Sequence, residues 1–259
     1  MDWVWTDEAP VGRGTVCTIY LAHNRRTGTL AALKRVSKEE LGIEGSEWEL
    51  VEKSAVREGA MLKVTDHPHI EVIYDLLSKP GRDVVDLLLE YIPCGDLHEY
   101  ILTRGPLNED SCKAIFLQVG SAIAYCHARG IVHRDVKLDN VMLTECPSPD
   151  AAPYSLSSGT PCPFNSKLVD FGFSNMFGDD SRFRFASLCG TPQYLAPELF
   201  LGMRYEGPPV DVYSLGVVLY RLLTGEYPYG NSDMSNQELA KEVARRGDFD
   251  LIHATSIFY

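Results

Sequence analysis

The chain of 259 residues contains no run of 18 consecutive apolar residues and no block of basic residues. The first absence gives no support for a membrane-spanning helix. The second argues against a nucleic-acid-binding protein, because such proteins collect lysine and arginine on one face. The first ten residues include three acidic and no basic ones, so they do not predict a signal peptide. We therefore expect a protein that binds neither nucleic acid nor membrane.

The cysteines include no C-x-x-C pair and are odd in number. Free thiols in a reducing cytosol or nucleus are the interpretation that this pattern favours over a disulfide framework or a zinc site. We therefore expect a cytoplasmic or nuclear location, or both. The seven residues are Cys17, Cys94, Cys112, Cys126, Cys146, Cys162 and Cys189.

The composition is that of a globular chain, with 45% apolar and 23% charged residues. This excludes a collagen-like, a wholly disordered or a disulfide-knotted protein. The length allows one full core, or two unequal lobes around a cleft. The formal charge is 24 − 36 = −12. An anionic ligand would therefore have to be held locally, by a glycine loop, a lysine or a metal ion.

The first third of the chain is rich in β patterns. Residues 15–22 and 30–36 flank a turn-like segment at 24–28, which predicts a hairpin. Residues 47–64 have the apolar spacing of a helix, and residues 83–92 have the apolar run of a buried strand.

The remainder of the chain has mainly helical patterns. Helices are predicted over residues 96–103, 108–129 and 212–223, with Gly130 as the C-cap of the second. We therefore predict an α+β fold with two lobes, a small β-rich N-lobe with one key helix and a larger α-helical C-lobe.

The lobes are predicted to span residues 1–92 and 93–259, within one domain. A flexible insert is predicted at residues 144–166, where 23 residues include five prolines and five serines. Two interpretations remain open: a disordered insert without function, or a regulatory loop carrying Ser-Pro.

A glycine loop and a lysine stand near the start of the chain. Gly12-Arg13-Gly14 precedes a strand pattern, and this disfavours a dinucleotide fold but suits a loop that covers phosphates. Lys34 ends an apolar strand, where it can contact phosphates and pair with Glu58 of the following helix. A surface lysine and a solvated glutamate are the alternatives.

Residues 131–140, IVHRDVKLDN, are the most informative segment. Polar residues interrupted by apolar ones suit neither a regular helix nor a strand, so they predict a functional loop. Asp135 can accept a hydroxyl proton, Lys137 can neutralise a phosphoryl group, and Asn140 can bind a metal ion. Further along, Asp170-Phe171-Gly172 places a carboxylate at a strand end, which suits a hard metal ion.

In order and spacing, these motifs resemble the eukaryotic protein kinase catalytic domain. The matching set is a Gly-x-Gly loop, Ala-Leu-Lys, a helix Glu, His-Arg-Asp-x-x-x-x-Asn, Asp-Phe-Gly and Ala-Pro-Glu at 196–198. Residues 170–176 and 197–219 further resemble the branch of AMP-activated and microtubule-affinity-regulating kinases within the calmodulin-dependent kinase-like group. Lys137 is the form typical of Ser/Thr kinases.

The resemblance implies an ATP- and Mg²⁺-dependent Ser/Thr protein kinase acting on protein substrates. It implies that Gly12 and Gly14 cover the ATP phosphates and that Lys34, held by Glu58, contacts the α- and β-phosphates. It also implies that Asp170 binds a Mg²⁺ ion that bridges the β- and γ-phosphates.

The remaining roles follow from the same resemblance. Asn140 is expected to bind a second Mg²⁺, Asp135 to accept the substrate proton, and Lys137 to stabilise the γ-phosphoryl group. The hinge is expected at residues 90–92, with Leu89 as gatekeeper. Other residues expected at the nucleotide are Ile19, Ala32, Glu90, Ile92 and Asp96.

Regulation and substrate choice are also implied. Arg134 beside Asp135 suggests an arginine–phosphate pair, with Ser187 as the site of an upstream kinase and Ser181 and Thr191 as competing sites. Asp96 and Asp139 predict substrates with Arg or Lys upstream of the acceptor hydroxyl. The alternatives are an ordinary exposed serine and two solvated acids.

The sequence departs from the family at several places. Cys17 replaces the third glycine of the loop and Tyr213 replaces a common tryptophan. The family's last helices, with the arginine that pairs with Glu198, are expected to be missing, so the fold is expected to be truncated at the C-terminus. The rival interpretation is therefore a pseudokinase or truncated kinase fragment acting as a binding or scaffold module.

Overall fold

A computed structural model of the chain describes residues 2–78, 83–145, 162–176, 191–200, 207–230, 234–235, 238–239 and 241–243. These residues fall into two compact units. The first contains the described residues of 1–66, 70–92 and 170–172, and the second contains those of 67–69, 93–169 and 173–259. Each unit is considered by itself below.

An antiparallel sheet of five strands, in the order β1-β2-β3-β5-β4, forms the body of the first unit. Small and apolar residues of β2, β3 and β5 pack into one core cluster, with Trp3 and Trp5 of β1 against it. The strands are β1 (Trp3–Arg13), β2 (Thr18–Asn24), β3 (Leu30–Ser37), β4 (Ile73–Ser78) and β5 (Val84–Glu90).

The predicted hairpin is present as β2 and β3. Asn24 Oδ1 accepts hydrogen bonds from the N–H groups of Arg26 and Thr27, and Gly28 takes a positive φ of 72°, which glycine adopts readily. In the paired strands Ile19 lies opposite Lys34. This register sets the lysine beside the glycine loop.

Two helices complete the first unit: α1 (Lys38–Leu41) and α2 (Gly45–Leu62). The buried residues of α2 include Trp48, Ala55 and Glu58. Gly59 allows the helix to approach β4, since a Cβ there would lie 2.9 Å from Leu76 Cδ1. The predicted helix over 47–64 is therefore confirmed, with bounds two residues earlier at each end.

Helices dominate the second unit. They are α3 (Leu97–Arg104), α4 (Glu109–His127), α5 (Pro197–Phe200) and α6 (Gly207–Thr224). Short strands pair as β6 (Ile131–Val132) with β9 (Asn175–Met176) and as β7 (Val141–Leu143) with β8 (Ser166–Leu168). The α+β prediction, with a β-rich first part and a helical remainder, is confirmed.

Details of the second unit differ from the sequence-based expectation. Helix α4 ends at His127 with Ala128 as its C-cap, so Gly130 is not the cap; it lies two residues further on, with φ of 73°. Most of the predicted insert, residues 146–161, lies outside the described residues, as do residues 244–259. The insert and the missing last helices therefore remain predictions.

The expectation of seven free thiols is wrong at Cys94, which is disulfide-bonded. Its N–H donates to the Leu143 carbonyl at 3.2 Å. The described cysteines 17, 112, 126 and 162 are free. Sequence spacing did not reveal this bond because 94 belongs to no close cysteine pair. Among the described residues, no helix has the length and apolarity needed to cross a membrane.

Candidate active site

In the first unit, Lys34 lies among carboxylates. Its Nζ is 2.7 and 2.9 Å from the two carboxylate oxygens of Glu58 and 2.8 Å from Asp170 Oδ1. Lys34 and Glu58 are 8% and 2% exposed, whereas the Asp170 side chain is 42% exposed. The structure thus joins three of the residues that the motifs predicted, and leaves the Asp170 carboxylate open to a ligand.

Opposing effects act on the pKa of Lys34. Burial alone would lower this pKa, but the carboxylates of Glu58 and then Asp170 outweigh burial and raise it well above its ordinary value. The ammonium is therefore charged at neutral pH. A buried charge needs such partners, because an unpaired one would carry a large desolvation cost.

The backbone of Asp170 has an unusual conformation. Its φ is 61°, a left-handed value that costs a non-glycine residue about 1–2 kcal/mol. The N–H of Asp170 donates to Glu71 Oε1 at 2.7 Å, and the hydroxyl of Ser54 donates to the Gly172 carbonyl at 2.8 Å. These contacts hold the segment on which the Asp170 carboxylate is carried.

Glu71 is a fourth ionisable group of this cluster, and sequence reasoning missed it. It is 6% exposed, and burial, followed by the Glu58 carboxylate, raises its pKa to about 8. The sequence did contain one signal for a functional role of Glu71: it is an acidic residue between Ile70 and Val72, in an apolar stretch that predicts a buried position.

The glycine loop ends in a turn. Gly12 pairs with Ile19, and the N–H of Gly14 donates to the Cys17 carbonyl at 2.9 Å. A Cβ on Gly14 would lie 2.8 Å from Cys17 Sγ, so a larger residue there would force the Cys17 side chain to move. Burial raises the pKa of the Cys17 thiol, and Lys34 partly offsets this rise. Cys17 thus forms part of the loop as a neutral thiol.

Of the other residues expected at the nucleotide, Ile19, Ala32 and Glu90 lie on the same sheet. Ala32 is opposite Leu89 in the pairing of β3 with β5. Glu90 ends β5; its N–H donates to the Val72 carbonyl at 2.8 Å, and its carboxylate accepts from the Val72 N–H at 3.2 Å. Ile92, 7% exposed, follows. Asp96 belongs to the second unit.

In the second unit, the Asp135 carboxylate is the centre of a separate group. Asn140 Nδ2 donates to Asp135 Oδ2 at 3.0 Å and to the Asp135 carbonyl at 2.8 Å. Lys137 Nζ is 3.0 Å from Asp135 Oδ2 and also donates to Thr191 Oγ1 at 3.0 Å. The N–H of Thr191 reaches Asp135 Oδ1 at 3.3 Å. The structure therefore joins the three predicted residues of this loop and adds Thr191.

The loop that carries Asp135 is held by buried polar contacts. His133 Nδ1 accepts from the N–H of Asp135 at 3.3 Å, so Nε2 bears the ring proton and donates to the Val169 carbonyl at 3.1 Å. Asp211, which is fully buried on α6, accepts from the N–H groups of His133 and Arg134 at 2.9 and 2.7 Å. Arg134 needs this support, because its φ is 68°.

Tyr194 connects the same loop to α6. Its hydroxyl accepts from the N–H of Leu138 at 3.4 Å and from Arg221 at 3.1 Å, and its carbonyl accepts from the Ser214 hydroxyl at 2.8 Å. Neither Asp211 nor Tyr194 was predicted from the sequence, since each acts through contacts between distant segments.

The residues expected to control substrate choice and activation differ in their exposure and in their hydrogen-bond partners. Asp96 is the N-cap of α3, with its carboxylate accepting from the Glu99 N–H at 2.8 Å. Asp139 is exposed. Arg134 donates through Nε to the Phe173 carbonyl at 2.6 Å. Ser187 and Ser181 lie outside the described residues, so the phosphorylation sites remain predictions.

The predicted Mg²⁺ ligands, Asp170 and Asn140, belong to different units. Within the described part of the chain, no group of three or more His, Cys, Asp or Glu side chains has the arrangement of a metal site. Asp170 offers a half-exposed carboxylate, and Asn140 offers its amide oxygen, because its Nδ2 already donates to Asp135. Both are oxygen ligands of the kind that Mg²⁺ prefers.

Comparison with known proteins identifies the family. A profile described as protein kinase domain matches residues 5–255. The chain is 34% identical over 229 residues to a serine/threonine-protein kinase SIK3 homolog of Danio rerio, and 34% identical over 227 residues to serine/threonine-protein kinase SIK2 of Gallus gallus. Each match covers 88% of this chain but only 17% and 25% of the respective relatives.

The chain belongs to the protein kinase domain family. The resemblance inferred from the motifs is confirmed, including the branch to which it pointed. The chain spans about a sixth and a quarter of the length of the two relatives.

Proposed function

We propose that this chain is an ATP- and Mg²⁺-dependent protein kinase that transfers the γ-phosphoryl group of ATP to serine or threonine hydroxyls of protein substrates. The observation that carries the proposal is the ion pair of Lys34 with both Glu58 and Asp170. Phosphoryl transfer by a kinase requires a Lys–Glu ion pair and, beside it, an Asp that can bind Mg²⁺. The similarity to two Ser/Thr kinases supports the choice of acceptor.

In this proposal, residues of the glycine loop, Lys34, Asp170 and Asn140 bind the nucleotide and Mg²⁺. Lys34 binds the α- and β-phosphates, and the loop of Gly12 and Gly14 covers the phosphates. Asp170 would hold one Mg²⁺ and Asn140 a second, and the bound ions would neutralise charge on the phosphates. Catalysis of this kind consists mainly of positioning and electrostatic stabilisation.

Asp135 accepts the proton of the substrate hydroxyl in this proposal. Its carboxylate is oriented by Asn140 and by the N–H of Thr191, and Lys137 supplies positive charge for the transferring phosphoryl group. Asp135 is only 5% exposed, so few water molecules compete for its oxygens.

The test is phosphate transfer from radiolabelled ATP to a basic peptide. Wild-type protein should label the peptide, whereas Asp135→Asn and Lys34→Met should each lower kcat by at least about a hundredfold. Asp83→Asn, at an exposed acid, is the matched control and should keep full activity. Equal labelling by all four proteins would reveal a contaminating kinase and overturn the proposal. No labelling by wild type would favour the pseudokinase, for which Cys17 in the glycine loop is the sequence signal.

We further propose that substrates carry Arg or Lys upstream of the acceptor. Asp139 supports this, because it is an exposed acid one residue before Asn140. Asp139→Asn should lower kcat/KM for a basic peptide by about tenfold and leave that for a neutral peptide unchanged. An equal loss with both peptides would contradict a charge-based preference.

Activation by an upstream kinase at Ser187 and a cytoplasmic or nuclear location are also proposals. Arg134 supports the first, as a cation next to Asp135 that can pair with a phosphate. For the second, the disulfide of Cys94 removes the support that seven free thiols would have given.

A further inference from the structure

Two side chains outside all of the sequence motifs hold the segment of residues 170–172 within the first unit. The Glu71 carboxyl oxygen Oε1 accepts the N–H of Asp170 at 2.7 Å, and the Ser54 hydroxyl donates to the carbonyl of Gly172 at 2.8 Å. Both contacts are made to the backbone. They therefore restrain the path of the chain itself, at the two ends of the segment.

The conformation that these contacts restrain is one that Asp170 would not adopt unaided. Its φ of 61° lies in the left-handed region, which non-glycine residues occupy when surrounding contacts hold them there. In this conformation Asp170 Oδ1 lies 2.8 Å from Lys34 Nζ. Return of Asp170 to a negative φ would turn the backbone and displace the carboxylate from the lysine.

Glu71 occupies a position where an acid is costly. It is 6% exposed and follows Ile70, which is 1% exposed. A buried carboxyl group needs a hydrogen-bond partner to offset its loss of water, and the Asp170 N–H is that partner. Because a carboxyl oxygen accepts hydrogen bonds in both protonation states, the contact does not depend on ionisation.

We infer that Glu71 and Ser54 are positioning residues that hold residues 170–172 in the conformation that places the Asp170 carboxylate against Lys34. Glu71 does so at the strained residue itself, and Ser54 does so from helix α2, four residues before Glu58. Helix α2 thereby provides both the acid that binds Lys34 and the hydroxyl that anchors the segment. The kinetic consequence of this inference rests on the proposed function, but its structural part does not.

The structural part is tested by hydrogen exchange of the Asp170 amide, without nucleotide, in the whole chain. Glu71→Leu removes the acceptor and should raise the exchange rate by at least about tenfold. Glu71→Gln keeps an oxygen acceptor and should stay within about threefold of wild type. Ser54→Ala should raise the rate by about threefold, and it carries the test if Glu71→Leu does not fold. Exchange unaffected by loss of the acceptor or of the hydroxyl would overturn the inference.

Matched controls lie on the same helix. Glu49→Leu and Ser46→Ala change exposed residues of α2 and should leave the exchange rate within about twofold of wild type. Unfolding midpoints of all variants are measured alongside. If the exchange rates only follow the midpoints, with no rescue by glutamine, the residues act through stability alone and the inference fails.

The kinetic part uses the peptide phosphorylation assay. Glu71→Leu should lower kcat by about tenfold, Glu71→Gln should restore it to within about threefold, and KM for the peptide should not change. An inactive wild type with faster exchange in Glu71→Leu would refute the proposed function and leave the positioning role supported. If the wild type is active, and Glu71→Leu changes neither the exchange rate of the Asp170 amide nor kcat, the positioning role alone is refuted.

Discussion

Lys34 is the cation in a cluster of three carboxyl groups. Its ammonium faces the carboxylates of Glu58 and Asp170, with the carboxyl of Glu71 bound to the Asp170 N–H. Three acids around one cation leave an excess of negative charge if all are ionised. Burial, and after it the charge of the neighbouring Glu58, is the physical reason that the pKa of Glu71 rises.

Glu71 should therefore impose a pH dependence on stability. Its pKa is about 8 in the folded chain, against 4.5 ordinarily, so between these values the folded state keeps a proton that the unfolded state has released. The unfolding free energy should then fall as pH rises from about 5 to about 8, by at most about 1.4 kcal/mol per pH unit. Lys34, Glu58 and Asp170 are the charged groups that face it.

Urea denaturation of wild type and Glu71→Gln in the presence of EDTA, at several pH values, checks this expectation. The difference in unfolding free energy between the two proteins should change from about pH 5 to about pH 8, because glutamine cannot titrate. Parallel curves would show that Glu71 has an ordinary pKa in the folded chain.

At the scale of elements, the structure shows why some boundaries are poorly predicted. Helix α6 begins at Gly207, five residues before the predicted start at 212. The apolar pattern that predicted this helix begins only at Val212. The helix can start earlier because Pro208 and Pro209 lie in its first turn, where N–H groups have no partner in the helix and proline is tolerated. Strand β4 was not predicted from the sequence, and its pairing with β5 is irregular between Ile73 and Asp75.

Two glycines of the helical unit should respond oppositely to alanine. A Cβ at Gly207 would collide with Val132 Cγ1 of β6, so Gly207→Ala should lower the unfolding free energy by about 1–3 kcal/mol. A Cβ at Gly120 of α4 would meet Leu215 at an ordinary 3.6 Å, so Gly120→Ala should raise stability by about 0.5–1 kcal/mol.

Chemical denaturation of both variants against wild type gives the comparison directly. The second variant is the matched control, since the same methyl group is added to a helix of the same unit. Equal effects of the two substitutions would show that the contact of Gly207 with Val132 does not limit packing at the start of α6.

At the scale of the whole molecule, the charge of −12 bears on substrate choice more than on nucleotide binding. An acidic protein repels a nucleotide at long range, where only screened charge acts, and relies on Lys34 and Mg²⁺ at short range. The same field attracts a cationic peptide. The net charge is thus compatible with the proposed activity and with the proposed preference for basic substrates.

This effect should depend on salt. Raising NaCl from about 0.05 M to about 0.3 M should lower kcat/KM for a basic peptide several-fold, because the Debye length shortens. A neutral peptide of equal length is the control and should change little. Similar losses for both peptides would assign the salt effect to the nucleotide or to the fold, and would contradict electrostatic attraction of the substrate.

Local sequence alone determined the motif residues Lys34, Glu58, Asp135, Asn140 and Asp170, and the α+β fold class. The motif residues and the fold class can both be predicted from short segments. A loop motif, and a strand or helix pattern, each depend on residues that are close together in the sequence. The hairpin of β2 and β3 was predictable for the same reason.

Only the tertiary structure revealed what holds these residues in place. Glu71 reaches Asp170 across 99 positions, Asp211 reaches Arg134 across 77, and Thr191 reaches Asp135 across 56. Nothing in the sequence around a buried acid tells which distant N–H group will satisfy it. That choice is made when the chain packs, because every polar group removed from water must then find its partner in another segment.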